Sequence, residues 1–151
     1  MGALDGIRVI DFGQWLAGPL TSMLLADQGA EVIHVDPPGG PRWKSPANAT
    51  LNRGKQRLTL DLKRSADATY ARRLIETADV VVENFRPGVM ERLGLGAEAS
   101  TAANPGLIYC SLPGFAHDDP RAQMAGWEGV VAAATGTYHT PTKPRFTAIM
   151  L

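Results

Sequence analysis

The sequence predicts an α/β fold built on a doubly wound, mainly parallel Rossmann-like sheet. Two observations carry this expectation. Brief Val/Ile/Leu-rich runs recur along the chain, and helical patterns separate most consecutive pairs of them. Each run is also brief, and such Val/Ile/Leu-rich runs look like strands buried on both faces. Strand, helix, strand repetition then implies parallel pairing with right-handed crossovers.

The elements follow in order. A first strand is predicted over Arg8–Phe12 (RVIDF) and a second over Glu31–Asp36 (EVIHVD). Between them Pro19 sits where a first helical turn tolerates it, Leu20, Met23 and Leu24 fall on one stripe, and Gly29 is a natural terminator. Arg57–Leu62 (RLTLDL) is the third strand, followed by a helix from Ala66 to Thr77 with Ala68, Ala71, Leu74 and Ile75 facing inward. Asp79–Glu83 (DVVVE) is the fourth. A short helix follows Pro87 through Arg92, and another covers Ala97–Ala103. Leu107–Leu112 (LIYCSL) is the fifth strand and Met124–Thr135 a last helix. Pro37–Asn52, with four prolines and two glycines, reads as a long loop, and Pro113–Ala125 as a second. Arg145–Leu151 reads as a strand that stops without the polar turn or helix that should follow. That pattern predicts residues 1–151 to be one portion of a longer domain, truncated at its C-terminus.

Composition narrows the function. The 151 residues carry 15 Lys and Arg against 15 Asp and Glu, so no overall field exists to hold nucleic acid or an acidic membrane. No apolar run approaches the roughly 20 residues that span a bilayer, and the N-terminus lacks the apolar region of a signal peptide. A single cysteine, Cys110, cannot form an internal disulfide or a cysteine metal cluster; it favours a reducing, cytoplasmic location and reads as a small hydrophobe in a strand. The neutral total hides an asymmetry. Between residues 40 and 75, nine basic residues face only Asp61 and Asp67, a local net charge of +7. Such a stretch suits a small polyanion, and a phosphorylated cofactor fits better than DNA, although Arg64, Arg72 and Arg73 read as the solvated face of a helix.

In open α/β sheets the ligand crevice lies over the carboxyl ends of the strands. After the first strand comes Gly13-Gln14-Trp15-Leu16-Ala17-Gly18-Pro19, whose small residues let backbone approach a ligand. After the fourth comes Asn84-Phe85-Arg86-Pro87-Gly88. A planar base could stack on Phe85 and phosphate could bond Arg86 or Arg92, while ordinary core packing accounts for Phe85 equally well. The first rival is a dinucleotide site, because Asp36 ends the second strand as a ribose-binding acid would. Its loop should read G-x-G-x-x-G, however, and here it reads FGQWLAGP. P-loop, zincin and α/β-hydrolase motifs do not occur, and His34, His117 and His139 are too scattered to suggest a metal site.

At these residues the chain resembles the family III coenzyme A-transferases, the group containing formyl-CoA transferase, carnitine CoA-transferase and α-methylacyl-CoA racemase. The matching blocks run from Leu4-Asp5-Gly6-Ile7-Arg8-Val9-Ile10-Asp11 through Ala17-Gly18-Pro19 and Leu24-Leu25-Ala26-Asp27-Gln28-Gly29-Ala30-Glu31-Val32-Ile33. They continue through Asn52-Arg53-Gly54-Lys55, Leu58-Thr59-Leu60-Asp61-Leu62-Lys63 and Ala78-Asp79-Val80-Val81-Val82-Glu83-Asn84-Phe85-Arg86-Pro87-Gly88, then Asn104-Pro105 and Gly114-Phe115. Each block alone is weak. Their order along nearly the whole chain is specific.

The resemblance implies the rest. It points to CoA contacts at Gln14, Trp15, Leu16 and Ala17, at Leu60 and Lys63 near the adenine and ribose, and at Asn84, Phe85 and Arg92. Arg86 matches an arginine near the racemase active site. Pro38 and Ala125 stand where some transferases carry basic residues, with Arg42 and Lys44 near enough in sequence to substitute. It further implies acyl-CoA and a carboxylic acid as substrates, no metal, an interlocked homodimer, and an aspartyl nucleophile just beyond residue 151. Glu128, after Trp127, matches an aromatic-Glu pair and reads as a supporting hydrogen-bond partner. Trp127 occupies the position of the racemase catalytic histidine, which favours transferase over racemase chemistry. A non-catalytic CoA-binding half of a tandem protein remains the alternative from another class.

Overall fold

The computed structural model describes residues 2–137. Its strands are β1 (Arg8–Asp11), β2 (Glu31–Asp36), β3 (Gln56–Thr59), β4 (Val80–Glu83) and β5 (Ile108–Ser111). The helices are α1 (Ala17–Asp27), α2 (Pro46–Leu51), α3 (Ser65–Glu76), α4 (Val89–Arg92), α5 (Ala97–Ala103) and α6 (Glu128–Ala134). The sheet order is β3-β2-β1-β4-β5 and every pairing is parallel, as expected of a doubly wound fold. From β1 the chain winds outward to β2 and β3, then returns to the other side of β1 for β4 and β5. The switch in direction falls between β1 and β4.

Strand parity divides the core. Ile10, Phe12, Val35 and Val81 join Ala71 and Ile75 of α3, Met90 of α4 and Leu95 on one face. Val9, Val32 and Val82 form the other core with Ala30, against Leu25 and Ala26 of α1. Burial on both faces holds for β1, β2 and β4. The outer strands β3 and β5 are largely exposed or half-buried, and each has one neighbouring strand among the described residues. Helix α3 buries Ala71 and Ile75 and half-buries Ala68 and Leu74, as its spacing predicts.

Four expectations need correction. The segment Pro37–Asn52 is not all loop. Ser45 accepts the Ala47 amide through Oγ at 3.3 Å and Pro46 supplies the first turn, so α2 forms inside it. In α1, Met23 is buried, but Leu20 and Leu24 are 37% and 51% exposed. The sheet-facing stripe is instead Gly18, Pro19, Ser22 and Met23. Strand β3 stops at Thr59 rather than Leu62, and Asp61 then accepts the Lys63 amide to turn the chain. Helix α6 starts at Glu128 rather than Met124, because Gly126 passes Gly114 so closely that a β-carbon on Gly126 would lie 2.5 Å from Gly114 Cα. The strand expected over Arg145–Leu151 and the residue His139 lie outside the described residues.

Candidate functional site

The crevice at the switch point is built from the loops after β1 and β4. Directly after β1, a β-carbon on Gly13 would come within 2.5 Å of Gly18 Cα, so two glycines are needed for the loop to fold back on the start of α1. The loop between them is held from β4. Asn84 Oδ1 accepts the Gln14 amide at 2.7 Å, and Asn84 Nδ2 donates to the Gln14 carbonyl at 2.8 Å. Gln14 is buried by this arrangement. Trp15 follows with φ 66°, a left-handed conformation that costs a non-glycine residue about 1 kcal/mol or more. Its exposed indole meets Trp127 edge to face, with centroids 5.3 Å apart and planes at 75°. Leu16 caps α1 and is half-buried, and exposed Ala17 opens the helix.

The β4 loop forms the opposite wall. Buried Glu83 accepts the Phe85 amide at 2.7 Å. Phe85 is half-buried and rests on the α3-side core, which leaves part of its ring toward solvent. Arg86 and Arg92 are exposed. Gly88 takes φ 84°, and a β-carbon there would lie 3.1 Å from Arg92 Nη1, so this glycine makes room for that guanidinium. Leu60 and Lys63 lie beyond the end of β3, two strands or about 10 Å from β1. Leu60 is buried in the core, and Lys63 is exposed. Glu128 is exposed at the start of α6. The structure thus joins Gln14 to Asn84 directly, places Trp15 on the β1 loop and Phe85, Arg86 and Arg92 on and after the β4 loop, and sets Leu60 and Lys63 after β3 and Glu128 at the start of α6.

Sequence reasoning missed what lies beneath the loop. Register pairs Asp11 with His34 and His34 with Arg57, so three polar side chains cross three strands on the α1 face. Asp11 Oδ1 accepts the Gly13 amide at 2.8 Å. Its Oδ2 accepts from Ser22 Oγ at 2.5 Å, lies 2.7 Å from His34 Nδ1, and pairs with Lys55 Nζ at 3.1 Å. Burial acts to raise the Asp11 pKa, but the bond and charge of His34, the Lys55 ammonium and the Ser22 hydroxyl together hold it below the usual 3.8. Burial pushes Lys55 below its usual 10.5, because a single carboxylate offsets only part of the lost hydration. Asp36, the residue a dinucleotide site would use, is buried. Its Oδ2 takes Arg57, and its Oδ1 faces His34 Nε2 at 3.4 Å without a hydrogen bond. A carboxylate so enclosed is not presented to a ribose. Parity and register were the signals for this row, and both require the strand pairing to be known.

Elsewhere, Met124, Trp127, Val130, Ala133, Ala134 and Arg121 line a concavity of about 770 Å³, and its Trp127 is the ring that packs on Trp15. Cys110 is half-buried against the α1-side core, with its thiol pushed up by burial and by Glu83. Among the described residues no group of three or more His, Cys, Asp or Glu could hold a metal, and no helix is long and apolar enough to cross a membrane.

Comparison with known proteins gives a consistent result. A family model described as CoA-transferase family III matches residues 4–149. The CoA-transferase/lyase DddD of Marinomonas sp. (strain MWYL1) is 53% identical over 136 residues, covering 89% of this chain and 16% of that protein. The succinyl-CoA:mesaconate CoA-transferase of Haloarcula hispanica is 42% identical over 163 residues, covering 99% and 37% respectively. The crystal structure of Rv3272 from Mycobacterium tuberculosis, orthorhombic form, superposes with a TM-score of 0.89 at 43% identity, covering 96% of this chain and 42% of that one. The chain therefore spans well under half the length of these relatives.

Proposed function

The chain belongs to CoA-transferase family III, and from that premise we propose that its crevice binds coenzyme A. In this reading residues 1–151 form the CoA-binding N-terminal part of a transferase that moves CoA between an acyl-CoA thioester and a carboxylic acid. One observation carries the reading: the Gln14 and Asn84 loops meet at the switch point of a parallel sheet, and Phe85, Arg86 and Arg92 follow Asn84 in the segment after β4. Phe85 supplies a stacking face for the purine, and Arg92 and Lys63 supply charge for the phosphates. Gln14, Trp15, Leu16 and Ala17 supply a close-approaching backbone, and the end of β3 at Leu60 receives the adenine and ribose.

The chemistry requires a carboxylate that attacks the thioester carbonyl and releases CoA thiolate, leaving a mixed anhydride. The thiolate then attacks the enzyme carbonyl, freeing the first acid and leaving CoA on the enzyme for the second. We assign the nucleophile to an aspartate following Leu151, with Glu128 and Arg86 in supporting roles and no metal. An interlocked homodimer in the cytoplasm completes the proposal; exposed Trp15, Leu20 and Leu24 are apolar surface that such an assembly would cover.

A second reading is a non-catalytic CoA-binding half of a tandem protein, and the 16% coverage of DddD against 37% of the mesaconate enzyme shows that relatives of this segment occur in chains of very different length. The residue after the last predicted strand separates the two, an aspartate supporting the transferase. Binding itself is tested by calorimetric titration of CoA, 3′-dephospho-CoA and NADH. The proposal expects CoA to bind, dephospho-CoA to bind more weakly, and NADH not to compete; binding of NADH alone would reverse it.

A further inference from the structure

The block Asn52-Arg53-Gly54-Lys55 receives no task from the crevice, yet Lys55 is fully enclosed: its side chain has 0% exposure. Its ammonium has four acceptors within reach. Asp11 Oδ2 lies at 3.1 Å, Ser22 Oγ at 2.8 Å, the Pro19 carbonyl at 2.8 Å and Asn52 Oδ1 at 3.2 Å. The two partners of this ion pair hold opposite ends of one loop. Asp11 grips the front end through the Gly13 amide, and Lys55 grips the back end through the Pro19 carbonyl. Ser22 ties the partners together, donating to Asp11 and accepting from Lys55. Gly13 and Gly18 already touch, so residues 14–17 form a loop closed at its base.

We propose that Lys55 and Asp11 are positioning residues, whose ion pair clamps both ends of the Gly13–Pro19 loop and thereby fixes the backbone of Gln14 and Trp15 for CoA. This inference rests on the CoA-binding reading for its functional half. Both charges are buried, so removing one leaves the second without its partner, which is costly, and loosens the bond that the pair makes to the loop at Gly13 or Pro19. Residues 52–55 thus act on the crevice from below without touching a ligand. Asn52, at the end of α2, orients the ammonium from the side of the basic segment and couples that segment to the loop.

The test compares the wild-type protein with Lys55→Met and the milder Ser22→Ala by amide hydrogen exchange and CoA titration. Clamping predicts that exchange at Gly13 and Gln14 rises selectively, while Val9, Ile10 and Val81 keep their protection. CoA affinity should fall about tenfold in Lys55→Met and by a smaller factor in Ser22→Ala. If Lys55→Met does not fold, Ser22→Ala decides by the same pattern. Exchange that rises uniformly through the sheet, or not at all, would overturn the clamp. A wild-type protein that ignores CoA would instead refute the binding reading, and the exchange pattern would still decide whether the ion pair holds the loop.

Discussion

Asn84 grasps Gln14 at both ends of its backbone, taking the amide at 2.7 Å and giving to the carbonyl at 2.8 Å, across 70 residues of sequence. This pair joins the loops on either side of the switch point, so the two loops are fixed relative to each other by the fold itself. Pre-organisation of this kind lowers the ordering cost of binding.

Replacing Asn84 by Asp keeps the acceptor and removes the donor, setting a carboxylate against the Gln14 carbonyl. One lost bond and one repulsive contact should weaken CoA binding about tenfold or more. Calorimetric titration measures this, and an unchanged affinity would exclude the Gln14–Asn84 bridge from ligand binding.

Gly18→Ala should be worse tolerated than its small size suggests. The added β-carbon would lie 2.5 Å from Gly13 Cα, and backbone cannot yield there as a flexible side chain would. Overpacking of this sort costs about 1–3 kcal/mol. A lowered melting temperature accompanied by lost CoA binding is expected.

Lys63→Ala and Arg92→Ala test the electrostatic part of the proposal. Both residues are exposed, so their attraction for phosphate should be screened by salt. Affinity for CoA should drop more at low ionic strength than at high. Equal losses at both would remove these residues from phosphate contact.

Stability should depend on pH through the buried ion pair, rising with pH through an acid window set by Asp11 and through an alkaline window set by Lys55. Asp11 titrates below 3.8 in the folded protein, so its contribution is present above 3.8 and is lost as pH falls through the folded value. Lys55 titrates below 10.5 when folded, so the unfolded chain holds more protons in the window beneath 10.5 and stability rises with pH there. Denaturant melts of Asp11→Asn should lose the acid slope, and those of Lys55→Met the alkaline one.

The sheet was legible because its strands are apolar on both sides of the chain's centre and because β-α-β connections leave few topologies. Ile10, Val35 and Val81 could be assigned to a core from composition alone, and Ala71 and Ile75 from helical spacing. The helix at Pro46–Leu51 was hidden by the prolines and glycines before it, although Ser45-Pro46 is a helix start. The outward turn of Leu20 and Leu24 had no local cause. It follows from Gly18 and Ser22 packing onto Gly13 and Asp11, a tertiary requirement that overrides the apolar stripe. Gln14 and Asn84 were picked out as site residues, but their mutual bond was not, since nothing local joins residues so far apart. The network joining Asp11, His34 and Lys55 was hidden for a similar reason: nothing local says what a polar residue in or beside a strand faces until the strand pairing is known.

The central claim is that the crevice between the β1 and β4 loops receives coenzyme A. A crystal of the protein soaked with CoA tests it directly. The account predicts nucleotide density over Gln14 and Asn84, with the purine against Phe85 or the end of β3 and the phosphates within reach of Arg92 or Lys63. Density at another surface, with this opening unaltered at saturating CoA, would contradict it.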